Sequence, residues 1–410
     1  MTLTESPDHH GSHRALLPEL RDSSAGTVDA IMVPTIRHPL HLETARALAA
    51  RLNCALVTLH SGKWTSAAAA NDIPVRGIYH IAIDIPDPSA LRLIDFKTAQ
   101  LMTGRFARRK DTSAKRNLGL MLARMVGWSR IVFLDDDIDV PDPDDLRRAA
   151  GLLDTYNAVG LHIGGYPDNS VVCHAYREIG GYQQSFIGGG ALAVETARNL
   201  SFFPDIYNED WFYLLDRGKG LQPLAVTGKV VQQPYDPFRN DDRARMEEVG
   251  DVLAEGIFWL LDQGRSLDDA DAKHWAEFIF MRRRFIEYIL SSTDQASVTI
   301  AQRARIESSL KASLGRLKLI TPEWCERYVK AWMADRVAWE RHIKNLSYAP
   351  SVEDALRMLS KKGRPRLNSV IHGTAPISVG VRGAEKLTIE FSRAQVPGIP
   401  RIGLTVPAQL

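Results

Sequence analysis

The chain has 410 residues, 45% of them hydrophobic and 24% charged, and a formal net charge of +2. That length exceeds one ordinary core and predicts two domains, and the near-neutral charge gives no general reason to expect a nucleic-acid partner. Three cysteines, Cys54, Cys173 and Cys325, lie far apart without metal-ligand spacing and read as reduced, buried thiols of a cytoplasmic protein. No apolar run approaches the roughly 20 residues that span a bilayer, so peripheral membrane contact is the most to expect.

Residues 1 to 26 are polar and read as a flexible tail whose His9, His10 and His13 are an incidental cluster. The first strand is predicted at Ala30 to Val33, running into Pro34, Thr35, Ile36, Arg37, His38 and Pro39. Leu42, Ala45, Leu48, Ala49 and Leu52 then recur at helical spacing, and Ala55 to Leu59 forms a second strand. Neither G-x-G-x-x-G nor G-x-x-x-x-G-K-[ST] follows the first strand, so this opening is neither a dinucleotide fingerprint nor a P-loop. The loop His60-Ser61-Gly62-Lys63 and a third strand, Tyr79 to Ile83 ending in Asp84, continue the alternation. Repetition of strand, loop and helix predicts an α/β, doubly wound, mostly parallel sheet.

Asp111-Thr112-Ser113 reads as a helix N-cap, with Leu118, Met121, Leu122, Met125 and Val126 on the buried side and Gly127 closing the helix. Its first turn carries Lys115, Arg116 and Asn117, either a solvated polar face or a place where a helix N-terminus and basic side chains hold phosphate. The informative stretch follows: Ile131 to Val140 reads I-V-F-L-D-D-D-I-D-V, a buried strand ending in a carboxylate cluster. Alternation along an extended segment sends Asp135 and Asp137 to one side and Asp136 to the other. Hard oxygen donors at a strand's open end suit Mg²⁺ or Mn²⁺, with a diphosphate completing the shell. The later acids Asp139, Asp142, Asp144 and Asp145 lead into a helix over about 144 to 156 and read as structural.

Ala158 to Ile163 reads as another strand, and Val171 to Tyr176 as a further apolar, alternating stretch; His162 and His174 within them read as wall histidines. Gly188-Gly189-Gly190 precedes a short strand, Ala191 to Val194, and permits close backbone approach or simply a turn. In F-F-P-D-I-Y-N-E-D-W-F-Y-L-L-D, Asn208 is placed to cap a helix that carries Glu209 and Asp210 in its first turn and Trp211, Phe212, Leu214 and Leu215 in the core. Acids there are dipole partners, or a carboxylate fixed for general-base work. From about Arg245 the pattern is helical, with a stripe Trp275, Phe278, Ile279, Arg282, Phe285, Ile286 and Ile289. A later helix opens at Thr321-Pro322, and Ser351-x-x-Asp354 caps another. Arg282-Arg283-Arg284 reads as a solvated face in preference to a membrane or acceptor contact. From Lys361 a basic linker leads into either a small strand pair or a disordered tail.

Taken together, P-T-I-R after the first strand, K-R-N-L-G-L, F-L-D-D-D and N-E-D-W resemble, in their order over residues 30 to 235, a glycosyltransferase of the GT-A fold, similar to the family 2 inverting type. The resemblance implies a GT-A nucleotide-sugar and acceptor domain at 27–240; the pattern read above adds a helical domain at 241–360 and a basic linker and tail at 361–410. It implies that Pro34, Thr35 and Arg37 form the first nucleotide loop and that Lys115, Arg116 and Asn117 lie along the nucleotide. Asp135 and Asp136 would contact metal or nucleotide, Asp137 would ligate Mn²⁺ or Mg²⁺, and Asp210 beside Glu209 would be the base that activates an acceptor hydroxyl. The donor implied is a nucleoside-diphosphate sugar. Two departures stand out: His60-Ser61-Gly62-Lys63 replaces the usual acidic base reader, with Asp84 the candidate substitute, and Val231-Gln232-Gln233-Pro234-Tyr235 stands where a late histidine ligand is frequent. A nucleotidyltransferase and a catalytically silent nucleotide-binding or scaffold protein are the alternatives.

Overall fold

The structure, a computed structural model, describes residues 13–17, 24–73, 77–85, 94–108, 110–165, 170–182, 186–217, 220–360 and 367–375. Every residue of β1 (Ala30–Thr35) and β2 (Ala55–His60) is buried, and successive side chains leave by opposite faces: Ala30 and Met32 join one core, Ile31 and Val33 the other. With β3 (Tyr79–Asp84), β4 (Arg130–Leu134), β5 (Ile138–Asp139), β6 (Ala158–Gly165), β7 (Ala191–Glu195), β8 (Leu224–Gln232) and β9 (Asn368–His372) they form one sheet, ordered β5-β8-β6-β7-β4-β1-β2-β3-β9.

The sheet is mixed, which corrects the expectation of a mostly parallel one. Among the described residues, β1–β2, β1–β4, β2–β3 and β6–β8 are parallel, whereas β3–β9, β4–β7, β5–β8 and β6–β7 are antiparallel. Two of the antiparallel pairs come from β7, which enters between β4 and β6, and the other two from β5 and β9 at the sheet's two edges. A short strand buried on both faces carries no alternation that reports its direction.

Helices α1 (Glu43–Leu52) and α2 (Ala67–Asn71) pack on the Ile31/Val33 face. On the other face, α4 (Thr112–Val126) meets Met32 and Phe133, α3 (Lys97–Leu101) packs into the same core, and α5 (Asp144–Leu152) returns to the first group. Helix α4 buries Leu118, Met121, Leu122 and Met125 and stops at Gly127, whose φ of 80° supplies the left-handed C-cap. Next come α6 (Val171–Glu178), α7 (Glu209–Tyr213), α8 (Asp241–Asp262), α9 (Ala272–Ser291), α10 (Ile300–Leu317), α11 (Pro322–Lys344) and α12 (Val352–Leu359). Trp275, Phe278, Tyr328, Trp332 and Trp339 of this helical part lie in the same core as Met32 and Phe133, so the late helices complete the burial of one sheet face. All described residues belong to one compact unit.

Several local expectations hold for the physical reasons given. Thr321 accepts from the Trp324 N–H at 3.2 Å with Pro322 at the first helical position, and Ser351 accepts from the Asp354 N–H at 3.0 Å. Others are revised. Val171 to Tyr176 is helical, capped by Ser170 accepting from the Cys173 N–H, because a short apolar run does not by itself distinguish a buried helix from a strand. Asn208 stands at the N-cap of α7 but in a left-handed conformation, φ 60°, and its amide donates to Asp251 at 3.0 Å in place of capping. Of the arginine triplet, Arg283 and Arg284 are exposed, whereas Arg282 is buried.

Within the segment read as a tail, His13 is buried, pairs with Asp262 and packs edge-on against Trp211 and Phe258. His9 and His10 lie outside the described residues, as do 361–366 and 376–410. Between those last two segments, β9 adds a single antiparallel strand to the β3 edge. Cys54, Cys173 and Cys325 are buried free thiols; burial, helped by Asp29, pushes Cys54 up to about 12. Among the described residues, no helix is long and apolar enough to cross a membrane.

Candidate functional site

A cavity of about 340 Å³ opens where β1 and β4 end, within the size range of small-molecule sites. Arg37 lines it from beyond β1, Asp135 and Asp137 from beyond β4, Arg108, Lys110, Thr112 and Arg116 from the start of α4, and Gly188 and Gly190 from the turn before β7. Asn208, Glu209 and Asp210 close another side, and Arg243, Glu247, Asp251 and Glu255 of α8 supply the wall opposite the sheet. The turns are tied together through the backbone: Asp135 N–H donates to Gly190 C=O at 2.9 Å and Gln233 N–H to Asp137 C=O at 2.9 Å. Helix α8 comes close enough to fix the 205–210 segment because position 250 is glycine; a Cβ there would lie 2.0 Å from the Tyr207 carbonyl oxygen.

Arg116 is the centre of the site's electrostatics. Its side chain is only 4% exposed, Nη1 donates to Glu209 Oε1 at 2.9 Å and Nη2 to Asp135 Oδ1 at 3.0 Å, and the guanidinium lies over the Phe203 ring. Burial alone would pull Arg116 down, but Asp135, Glu209 and Asp210 outweigh it and hold the group above its ordinary value. Its Nε has no hydrogen-bond partner. A second cation, Arg37, donates to Asp137 Oδ2 at 2.5 Å and lies 3.4 Å from Asp136 Oδ1, with a side chain 37% exposed. Asp136 turns away from the cavity and accepts from Thr35 Oγ1 at 2.5 Å; burial raises its pKa against the pull of Thr35 and Arg37.

The remaining sequence candidates divide by direction. Arg37, Arg116, Asp135, Asp137, Glu209 and Asp210 line the cavity, whereas Pro34, Thr35, Lys115, Asn117 and Asp136 do not. Lys115 is buried, with Nζ donating to Thr35 C=O at 2.9 Å and Ser61 Oγ at 2.7 Å; burial lowers its pKa, opposed by Asp111. Asn117 exchanges two hydrogen bonds with the Phe203 backbone, at 2.8 and 2.9 Å. These two residues therefore hold the ends of β1 and of the 202–204 segment against α4. His60 is locked between Thr65 and Thr58, and burial, reinforced by His80, Lys115 and Arg46, pushes it down to about 3, so it stays neutral. Asp84 accepts from the Ala67 N–H at 2.7 Å, at the start of α2.

Asp210 is held by the backbone. Its Oδ2 accepts from Gly189 N–H at 2.5 Å and its Oδ1 from Trp211 N–H at 2.9 Å. Glycine at 189 is required by the same contact zone, since a Cβ there would lie 2.4 Å from Arg116 Nη1. Gly189→Ala is expected to push the guanidinium off Glu209 and Asp135 and to lower stability by roughly 1–3 kcal/mol, as overpacking does. Urea unfolding checks this, and an unchanged midpoint would mean that Arg116 relocates without loss.

Sequence reading missed the α8 wall and the approach to α4. Glu247, Asp251 and Glu255 recur every four residues on one face of α8, a spacing visible in the chain but ordinarily assigned to solvent. Burial pushes Glu247 and Glu248 up to about 7, opposed by Arg243 and by Arg282 respectively, and Glu255 up to about 8, opposed by Arg282. Arg108 and Lys110 belong to a basic run, R-F-A-R-R-K, that was the available signal.

Among the described residues, no three His, Cys, Asp or Glu side chains converge where they could hold a metal ion. The cavity nevertheless carries two hard carboxylate donors, Asp135 and Asp137, and a divalent ion that also uses diphosphate oxygens and water needs only one or two. Asp135 is engaged by the fixed Arg116, whereas the partner of Asp137 is the more exposed Arg37. The donor set therefore fits such a cation through Asp137.

No family model matches the sequence, and no curated protein matches it. Among solved structures, the chain is similar to the mannosyltransferase PcManGT from Pyrobaculum calidifontis, determined in complex with GDP-Man and Mn²⁺. The identity is 14%, the match covers 78% of this chain and 90% of that one, and the TM-score is 0.36. A likeness of that degree describes no activity for this chain, whose chemistry rests on its own residues.

Proposed function

We propose that the protein is a metal-dependent glycosyltransferase that moves a sugar from a nucleoside-diphosphate sugar to an acceptor hydroxyl with inversion. The observation that carries this reading is a single cavity at the strand ends in which Asp135 and Asp137, each balanced by an arginine, stand with the backbone-fixed carboxylate of Asp210. Arg37 is positioned to exchange Asp137 for a diphosphate oxygen, and Arg116 to hold the same group from the cavity's interior. Asp137 would hold Mn²⁺ or Mg²⁺, with Asp135 beside it and Asp136, turned out of the cavity, bracing the loop through Thr35. When bound, that cation supplies positive charge against the departing diphosphate.

Asp210 takes the proton of the acceptor hydroxyl, and the acceptor oxygen bonds to the anomeric carbon on the face opposite the diphosphate. The bond from that carbon to the phosphate oxygen breaks, and its electron pair stays on the nucleoside diphosphate. Calorimetric titration of UDP, GDP and TDP with Mn²⁺, Mg²⁺ or chelator, on wild type and Asp137→Asn, tests the reading. The expected result is metal-dependent binding of one nucleotide in the wild type and its loss in the variant. Binding of none of the three would overturn the proposal.

A further inference from the structure

The start of α4 holds a charge that the donor site does not use. The Arg108 side chain is 7% exposed, yet its Nε and Nη1 have no hydrogen-bond partner. Its ion pair with Asp205 Oδ1 spans 3.8 Å, beyond hydrogen-bond distance, and the Asp205 side chain is 47% exposed. Buried polar groups are paired almost without exception, and a guanidinium with two unmatched nitrogens at a cavity wall points to a ligand that completes it.

Three further features converge there. Lys110 is exposed and lines the same cavity. Thr112 is the first residue of α4, a 15-residue helix whose N-cap, Asp111, makes no side-chain cap and turns its carboxylate to Lys115 Nζ at 3.1 Å. The first-turn N–H groups and the positive end of the helix dipole thus add to Arg108 at one place.

Its position distinguishes this cluster from the diphosphate end. Arg37 marks one end of the cavity through Asp136 and Asp137. Arg116 reaches from Asp135 to Glu209, and Arg108 pairs with Asp205, of the segment that carries Asp210. In an inverting displacement the entering and leaving groups occupy opposite sides of the reacting carbon. A second cationic pole on the Asp210 side therefore serves the entering partner. We infer that the acceptor carries an anionic group, a phosphate or a carboxylate, held by Arg108, Lys110 and the N-terminus of α4; this rests on the transferase reading above.

The test is calorimetric titration of inorganic phosphate and of glucuronate into the full chain, with and without the nucleoside diphosphate that binds wild type. It is repeated on Arg108→Gln and Lys110→Gln. At least one anion is expected to bind alongside saturating nucleotide and to lose about tenfold or more in affinity in Arg108→Gln, the effect of a charge-assisted hydrogen bond. Lys110→Gln loses less, and nucleotide affinity is unchanged in both. The anion that survives saturation tells phosphate from carboxylate. Because its Nε and Nη1 lack hydrogen-bond partners, Arg108→Gln is also expected to keep or raise the thermal midpoint, whereas a purely structural arginine would lower it.

Displacement of the anion by nucleotide, or weaker nucleotide binding in Arg108→Gln, assigns Arg108 to the donor and overturns the inference while leaving the transferase reading intact. Failure of both anions to bind overturns it as well. Failure of every nucleotide is read in a separate titration and overturns the transferase reading itself. If Arg108→Gln does not fold, Lys110→Gln on the exposed rim still decides, since undiminished anion binding there refutes the site.

Discussion

Asp210→Asn is expected to lower the rate of sugar transfer by about 10²- to 10⁴-fold, the range a positioned general base contributes. Donor affinity should stay within about twofold of wild type, a free-energy change well under 1 kcal/mol. Asp210 and not its neighbour carries this prediction because the Glu209 carboxylate is committed to Arg116 at 2.9 Å, whereas Asp210 is oriented by the backbone N–H groups of Gly189 and Trp211. Two such N–H groups orient the carboxylate, and the charge of Arg116 acts on it as well. The asparagine keeps the shape but must turn an NH₂ toward Gly189 or Trp211, so a modest loss of stability, about 1–3 kcal/mol, accompanies the kinetic effect. Single-turnover rates at saturating donor, read beside donor titration, separate the two. Equal losses in rate and donor binding would sink the assignment of Asp210 as base.

How much of this site was legible in the chain depends on geometry that spacing either carries or omits. Strands β1 to β4 were readable because their apolar runs end abruptly in polar residues; Asp135 and Asp137 line the cavity and Asp136 does not, but through a turn closed by Ile138 N–H donating to Asp135 C=O at 3.2 Å and not through extended backbone, since β4 ends at Leu134. Lys115, Arg116 and Asn117 illustrate the opposite case. On an α-helix successive residues leave about 100° apart, so one turn sends its side chains in three directions, and only the packed fold decides which meets the cavity. Arg116 does; Lys115 goes to the end of β1 and Asn117 to Phe203. Strand β7 gave no sign of its direction because both its faces are apolar. The acids of α8 were unreadable for a related reason: a charged stripe is solvated unless something distant covers it, and here Arg282, on another helix, supplies the cover. The same arginine was grouped in sequence with two exposed neighbours, although helical spacing already put it in the stripe with Trp275 and Phe278.

That cover makes Arg282→Met the substitution with the largest expected loss of stability. Arg282 donates to Glu248 twice at 3.1 Å, to Asp251 at 2.6 Å and to Glu255 at 2.7 Å, and its side chain is almost wholly buried. Removing it leaves three carboxylates facing one another under the cavity wall, a change that costs roughly 3–5 kcal/mol when a buried pair is broken from one side. The penalty depends on pH with a definite sign. Glu248 at about 7 and Glu255 at about 8 lie above their unfolded values, so the native state binds protons more tightly than the unfolded one. Their contribution to stability is therefore most favourable below the unfolded value and is lost as pH rises through about 7 to 8. Without the guanidinium both groups move further up, and the variant regains more stability than wild type on acidification from pH 9 to pH 6. Urea midpoints at the two pH values measure this; a variant equal to wild type at pH 9, or one that gains stability as pH rises, contradicts it. Activity should fall in step, because Asp251 also accepts from the amide of Asn208, whose left-handed turn immediately precedes Glu209 and Asp210. Charge release beneath the wall thus reaches the proposed base through one hydrogen bond and two residues of chain.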